Sequence, residues 1–182
     1  VLRAPRALVG DVMAFSVELE RPRDFDAGQF VLLAPAGLDG YRAYSMCNFA
    51  RSARRLDFVV KRKPDGGFSE WLFGANRDGE RLAMFGPLGT ATFDPALAKN
   101  VLCIAGGSGI AGMMSILARA CDERYFERWY GFVFFGVRKM RDTFFLDELS
   151  AFQRQFPERL RITVALSEED VPAAAAQDRP AL

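Results

Sequence analysis

The larger apolar residues Met13, Phe15, Val17 and Leu19 are separated by the smaller or polar Ala14, Ser16 and Glu18. A period of two puts successive side chains on opposite faces of an extended chain, so this stretch predicts a strand. Gly10-Asp11 just before it has hairpin chemistry. Gly28 opens Gln29-Phe30-Val31-Leu32-Leu33, and a Gly-containing polar turn (Gly37 to Gly40) leads into Tyr41 to Cys47. Leu56 to Lys61 and Arg81 to Phe85 read as further strands, with one short helix, Ser69 to Phe73, between them. Short strands separated by Gly, Pro and Asp turns predict a small antiparallel barrel.

The pattern changes near Phe93-Asp94-Pro95. Asn100 to Ala105 and Trp129 to Phe135 are continuous apolar runs, the mark of strands buried on both faces. Arg161 to Leu166 is a third strand. Ile110, Met113, Met114, Leu117 and Cys121 recur at helical spacing, as do Phe145, Leu149, Phe152 and Phe156. Strand–helix alternation predicts a parallel sheet with crossover helices. The fold class is therefore β plus α/β, with a barrel unit over residues 1–95, an α/β unit over 96–182, and a boundary near residues 93–99. Glu168 to Leu182 is Ala- and Pro-rich without periodicity. Nucleotide-binding α/β units usually have more than three strands, so the second unit is expected to be incomplete at its C-terminus.

Composition narrows the chemistry. The chain has no histidine. That excludes Ser-His-Asp and Cys-His machinery, together with the common His-ligated zinc and haem sites. Redox chemistry would have to come from an organic cofactor or a partner. The three cysteines, Cys47, Cys103 and Cys121, are far apart, with no disulfide framework and no CxxC. No apolar run approaches the roughly 18 residues of a membrane span, and the first residues lack a signal peptide's apolar stretch. A cytoplasmic location without membrane attachment is expected. A net charge of +1 gives no argument for nucleic acid.

Three segments carry candidate chemistry. Ala105-Gly106-Gly107-Ser108-Gly109-Ile110-Ala111-Gly112 follows a buried strand, opens a helix and contains GxGxxG. Such a turn brings backbone N–H groups and the positive helix end up to a pyrophosphate; the alternative is a glycine turn without a ligand. The second strand of that unit ends Phe135-Gly136-Val137-Arg138, without the acidic residue of an ordinary Rossmann fingerprint. In Arg42-Ala43-Tyr44-Ser45, Arg42 offers forked donors for a phosphate, Tyr44 a flat face and Ser45 a hydroxyl. In a strand, Arg42 and Tyr44 share one face and Ser45 takes the other. Gly66-Gly67-Phe68-Ser69 opens a short helix, either as an anion site or as a plain turn with a capping serine.

In their order and spacing these elements resemble the ferredoxin–NADP reductase superfamily over nearly the whole chain. Within it, Arg-Ala-Tyr-Ser-Met-Cys-Asn, Phe-Gly-Val-Arg and Ala-Leu-Ser-Glu look most like the FAD/NAD-binding reductase components of bacterial multicomponent oxygenases. The resemblance implies that Arg42, Ala43, Tyr44 and Ser45 bind FAD. Arg42 would pair with its pyrophosphate and Tyr44 would pack on the flavin or ribityl chain. Ser45, near flavin N5, would be the one residue with a catalytic role. It further implies that Gly66, Gly67, Phe68 and Ser69 hold the FAD pyrophosphate, and that Val59, Val60 and Lys61, in the strand that starts at Phe58, lie beside the FAD adenosine half. Phe85-Gly86-Pro87-Leu88-Gly89 resembles the link that ends the barrel. Gly106, Gly107, Ser108, Gly109 and Ile110 would receive the nicotinamide nucleotide, and Gly136 and Arg138 would lie near its adenosine ribose. The family commonly has Pro where this chain has Gly112, and its Cys-Gly-Pro end segment is absent.

The implied activity is that of an FAD-dependent NAD(P)H oxidoreductase. It would move hydride from NAD(P)H, with NADH favoured, onto FAD and pass single electrons to a [2Fe–2S] ferredoxin domain or protein and an oxygenase component. No CxxxxCxxC occurs, so no metal or cluster is expected on this chain. Cys47 would be a small packing residue. Arg138, Lys139 and Arg141 could attract a 2′-phosphate or form a solvated basic turn. The alternatives are an electron-transfer subunit of the dihydroorotate dehydrogenase type and a non-catalytic flavin-binding docking module.

Overall fold

In a computed structural model that describes residues 1–170, the alternating stretch is the middle strand of a sheet. β1 (Leu2–Val9) and β2 (Val12–Arg23) form a hairpin closed at Gly10-Asp11, with Val9 paired to Val12. β2 also pairs antiparallel with β5 (Ala53–Lys61). β3 (Phe30–Pro35) lies between β4 (Arg42–Ser45) and β6 (Leu82–Leu88), again antiparallel. The expected barrel thus has its ladders in two three-stranded sheets. Isolated backbone bonds join their edges: Cys47 N donates to Asp57 O at 2.8 Å, and Leu2 N to Glu80 O at 2.8 Å. Phe15, Val17, Val31, Leu33, Met46 and Phe58 fill the space between. The helix α1 (Gly67–Gly74) seals one end with Phe68 and Leu72, both buried.

The second unit has a parallel sheet in the order β7 (Val101–Gly106), β8 (Gly131–Val137), β9 (Leu160–Leu166). Helices α2 (Ile110–Asp122) and α3 (Leu146–Gln155) cover one face of it. Cys103, Val133, Phe135 and Leu160 point toward those helices and are buried; Leu102, Ile104, Phe132 and Phe134 point the other way and are exposed, so β7 and β8 are covered on one face and not on both as their apolar runs predicted. β8 starts two residues later than its apolar run suggested. Trp129 packs instead on Tyr125, with ring centroids 6.4 Å apart. At Gly131, the Phe126 ring and Leu160 occupy the place of a side chain, so only glycine fits there. Phe145 and Phe156 flank α3 as its caps rather than lying within it.

The two units are not separate bodies. Val12, Ala27, Val59 and Phe93 belong to the same core cluster as Met114, Leu117, Phe126 and Phe135. The linker after β6 is pinned where Phe93 N donates to Ala27 O at 2.9 Å. No helix among the described residues is long and apolar enough to cross a membrane. The aperiodic tail predicted from Glu168 onward lies mostly outside the described residues.

Candidate cofactor site at the junction of the two units

β4 is held by β3 in a register that pairs Phe30 with Ser45 and Val31 with Tyr44. Val31 is buried in the barrel, so Tyr44 leans inward; its ring centroid lies 4.8 Å from that of Phe68. That contact brings the Arg42–Ser45 strand and the Gly66–Ser69 turn together. Burial pushes the Tyr44 phenol up to about 12, against a smaller opposing pull from Arg42, so it stays a neutral donor with a flat face. The Arg42 guanidinium is exposed and forms no ion pair among the described residues; its Nη1 donates only to Tyr41 O, at 3.0 Å. A forked cation with no carboxylate partner has donors to spare for a phosphate.

At the Gly66 turn the side chains are already committed. Ser69 Oγ is buried, accepts from Lys63 N at 3.0 Å and donates toward Lys63 O and Gly66 O at 3.1 Å. It clasps the turn rather than capping the helix, whose N-cap is Gly66. Phe68 points into the core. What remains for an anion here is backbone N–H at the start of α1.

In the second unit β7 ends at Gly106, a tight 3₁₀ turn covers Gly107–Gly109, and α2 begins at Ile110. Gly107 has φ +49°, and a Cβ added at Gly106, Gly107 or Gly109 would meet nothing within 4 Å. The loop therefore faces open space, while Ile110 is fully buried and can offer only its backbone. That space is a cavity of about 340 Å³ at the carboxyl ends of the parallel strands, where open α/β sheets bind ligands. Gly106, Gly107, Gly136, Val137 and Arg138 line one side; Val9, Asp11, Val12 and Lys61 line the other.

Lys61, which the resemblance places beside the FAD adenosine half, also lines the glycine-loop cavity. β5 runs antiparallel to β2 and ends beside the Gly10-Asp11 turn, which carries Lys61 to the glycine loop. Its ammonium lies 3.3 Å from Asp11. Val59 and Val60 are both buried, Val59 in the seam between the units and Val60 in the barrel. Arg138 Nε is 3.8 Å from Asp142 Oδ2 across the cavity wall.

The two motif regions meet at one point. A Cβ placed on Gly112, in the first turn of α2, would lie 3.5 Å from both Cβ and Oγ of Ser45. Ser45 faces away from the barrel core, as strand alternation requires, and its hydroxyl has no hydrogen-bond partner among the described residues. The strand read as flavin-binding and the helix that follows the glycine loop are thus separated here by little more than the room of one methyl group.

Residues 1–93 match the model of the oxidoreductase FAD-binding domain, and residues 103–179 that of the oxidoreductase NAD-binding domain. The chain belongs to the ferredoxin reductase family. This is the family that the Arg42–Ser45 and Gly106–Ile110 motifs resemble. Among its relatives, the ferredoxin–NAD(P)+ reductase CarAd of Metapseudomonas resinovorans is 40% identical over 119 residues, 65% of this chain and 36% of that protein. The xylene/toluene monooxygenase electron transfer component XylA of Pseudomonas putida is 32% identical over 164 residues, 90% of this chain and 46% of that protein. A solved ferredoxin reductase in carbazole 1,9a-dioxygenase superposes with a TM-score of 0.78 at 31% identity, covering 91% of this chain and 48% of the other. The chain thus spans less than half the length of these relatives.

Sequence reasoning missed two contributors to the junction. By its sequence context Gly28 is only a strand opener, yet its N–H donates to Ser115 Oγ at 2.8 Å. Arg119 spans the seam, with Nη1 3.2 Å from Phe93 O and 3.5 Å from Asp26 Oδ1. A serine and an arginine inside an otherwise apolar helical stripe were the available signal.

Proposed function

We propose that this chain is the FAD- and nicotinamide-binding part of an oxygenase reductase. It takes hydride from NADH onto FAD and hands single electrons to a [2Fe–2S] ferredoxin domain or protein. The observation that supports this reading is the nearness of Ser45 to Gly112, where a Cβ added to the glycine would lie 3.5 Å from the serine; it brings the strand read as a flavin seat close to the helix that follows the glycine loop. Residues 1–95 form the flavin unit and residues 96–182 the nicotinamide unit. The similarity to XylA and to the ferredoxin reductase in carbazole 1,9a-dioxygenase supports an oxygenase as the final recipient of electrons, and the absence of a membrane-length helix among the described residues is compatible with a cytoplasmic setting.

The residues fit the cofactors. Arg42 would hold a pyrophosphate oxygen, Tyr44 would lie flat against the flavin or its ribityl chain, and the amides at Gly66 to Ser69 would take further phosphate oxygens. The chemistry supplied by bound FAD is acceptance of hydride and its release as single electrons, for which no side-chain acid or base is required. Ser45 orients the reacting ring through its unpaired hydroxyl. Gly106 to Ile110, with Gly136, receive the nicotinamide nucleotide through backbone groups. Arg138 already faces the Asp142 carboxylate, and that carboxylate disfavours an added 2′-phosphate, which supports NADH over NADPH.

The test is a yellow, FAD-loaded protein mixed anaerobically with NADH. Bleaching of the flavin absorbance, faster with NADH than with NADPH, is the expected result. A flavin that stays oxidised would reduce the chain to a docking module.

A further inference from the structure

We propose that Ser115 is a positioning residue for hydride transfer, setting the approach of the glycine loop to Ser45 through its bond to Gly28. The inference rests on the reductase reading above. Ser115 is fully buried on the face of α2 that also carries Gly112 and Arg119. A buried helical serine commonly bonds back to its own helix; here Oγ accepts from Gly28 N, in the other unit, at 2.8 Å. Gly28 is a fixed post. Its φ is +106°, and the space beside its Cα is closed by Ala91 O, 2.5 Å from where a Cβ would sit. Two residues on, Phe30 pairs with Ser45, and one helical turn before Ser115, Gly112 lies beside that same serine, which a Cβ added to the glycine would approach to 3.5 Å. A closed circuit therefore runs from Ser115 through Gly28 and β3 to Ser45 and back to α2.

Along this face of α2, Gly112 lies near Ser45 without a directional bond, and Arg119 donates to Phe93 O, in the linker, at 3.2 Å. The Ser115 bond is the directional link from this face to the turn that opens β3. On another flank α2 borders a cavity of about 340 Å³, walled by Met114, Ala118, Phe145 and Phe152. Packing there leaves the helix room to shift once the bond is lost. The glycine loop forms the N-terminus of that helix and would move with it. Hydride transfer tolerates little of this, because reacting atoms must come within roughly 3–3.5 Å.

The test compares Ser115→Ala with Ser115→Thr in FAD-loaded protein. For Ser115→Ala the expected results are unchanged flavin content, faster deuterium exchange at the Gly28 amide, and KM for NADH within about twofold of wild type. Flavin reduction at saturating NADH should be roughly 10- to 100-fold slower. Ser115→Thr, which keeps the hydroxyl, should recover most of the rate. If Ser115→Ala does not hold FAD, Ser115→Cys, of similar size and a weaker acceptor, takes its place. A wild-type rate in the alanine or cysteine variant, or a defect that threonine does not relieve, overturns the proposal. A wild-type protein that NADH does not bleach overturns the reductase reading itself, a distinguishable result.

Discussion

Gly28→Ala should be among the most damaging single-methyl additions in the chain. The glycine has φ +106°, a region that costs an L-residue about 1–2 kcal/mol. The added Cβ would lie 2.5 Å from Ala91 O, 3.3 Å from Thr92 Cα and 3.4 Å from the Ile116 side chain. The first two are backbone atoms of the linker and cannot rotate away, so the chain itself must move, adding about 1–3 kcal/mol of overpacking. The total, about 2–5 kcal/mol, is a large share of the roughly 5–15 kcal/mol that holds a domain folded. Urea unfolding reads it directly. With a slope near 2 kcal/mol per molar, the midpoint should fall by about 1–2.5 M. Gly10→Ala is the control: nothing lies within 4 Å of its added Cβ, and its stability should stay within about 0.5 kcal/mol of wild type. A midpoint shift for Gly28→Ala below roughly 0.3 M would refute the reasoning from linker contact.

Other outcomes follow from the site. Arg42→Ala should leave stability unchanged, since no ion pair is lost, and weaken FAD binding about 10- to 100-fold by flavin titration; unaltered flavin affinity would remove Arg42 from the phosphate site. Ser45→Ala should retain FAD yet slow its reduction by about tenfold in stopped flow, the value of one hydrogen bond; identical reduction traces would speak against an orienting hydroxyl. Burial raises the thiols of Cys47 and Cys121 to about 12 and that of Cys103 to about 11, from an ordinary value of 9.0. Protons therefore leave the unfolded chain first, so the stability these thiols contribute is full below pH 9.0 and declines as pH rises toward 11 and 12. Thiol titration of native protein at pH 8 should accordingly be slow at Cys103 and Cys121, and denaturant should release both; rapid native labelling of these two would contradict their burial.

Regular elements were legible wherever one face of the chain is buried and the other wet. β2 and α2 follow from spacing alone, because burial of one face writes a period into the sequence, whereas β7 and β8 were legible as strands from their continuous apolar runs but not in their burial, since Leu102, Ile104, Phe132 and Phe134 are exposed. β1 left no such trace: Arg3, Ala4 and Arg6 interrupt it, and its exposed positions carry no alternation. The reach of Lys61 to the glycine loop was illegible for another reason, since it depends on where β5 ends relative to the hairpin at Gly10-Asp11. The roles of Phe68, Ser69 and Ile110 were half legible. The motif marks a backbone conformation, while their side chains serve the core or the turn. Gly112 was legible as part of the glycine motif and Ser115 as a polar residue in a helix, but what each meets depends on how α2 is laid against β3 and β4.

The seam between the units has a consequence for anyone who would divide this molecule. Val12, Ala27 and Val59 sit in one interior with Met114 and Leu117, so scission near residue 95 would strip an apolar patch bare on each fragment. The halves should behave as mutual chaperones rather than as modules joined by a tether. Trp71 and Trp129, one on either side, should then report a single melting event.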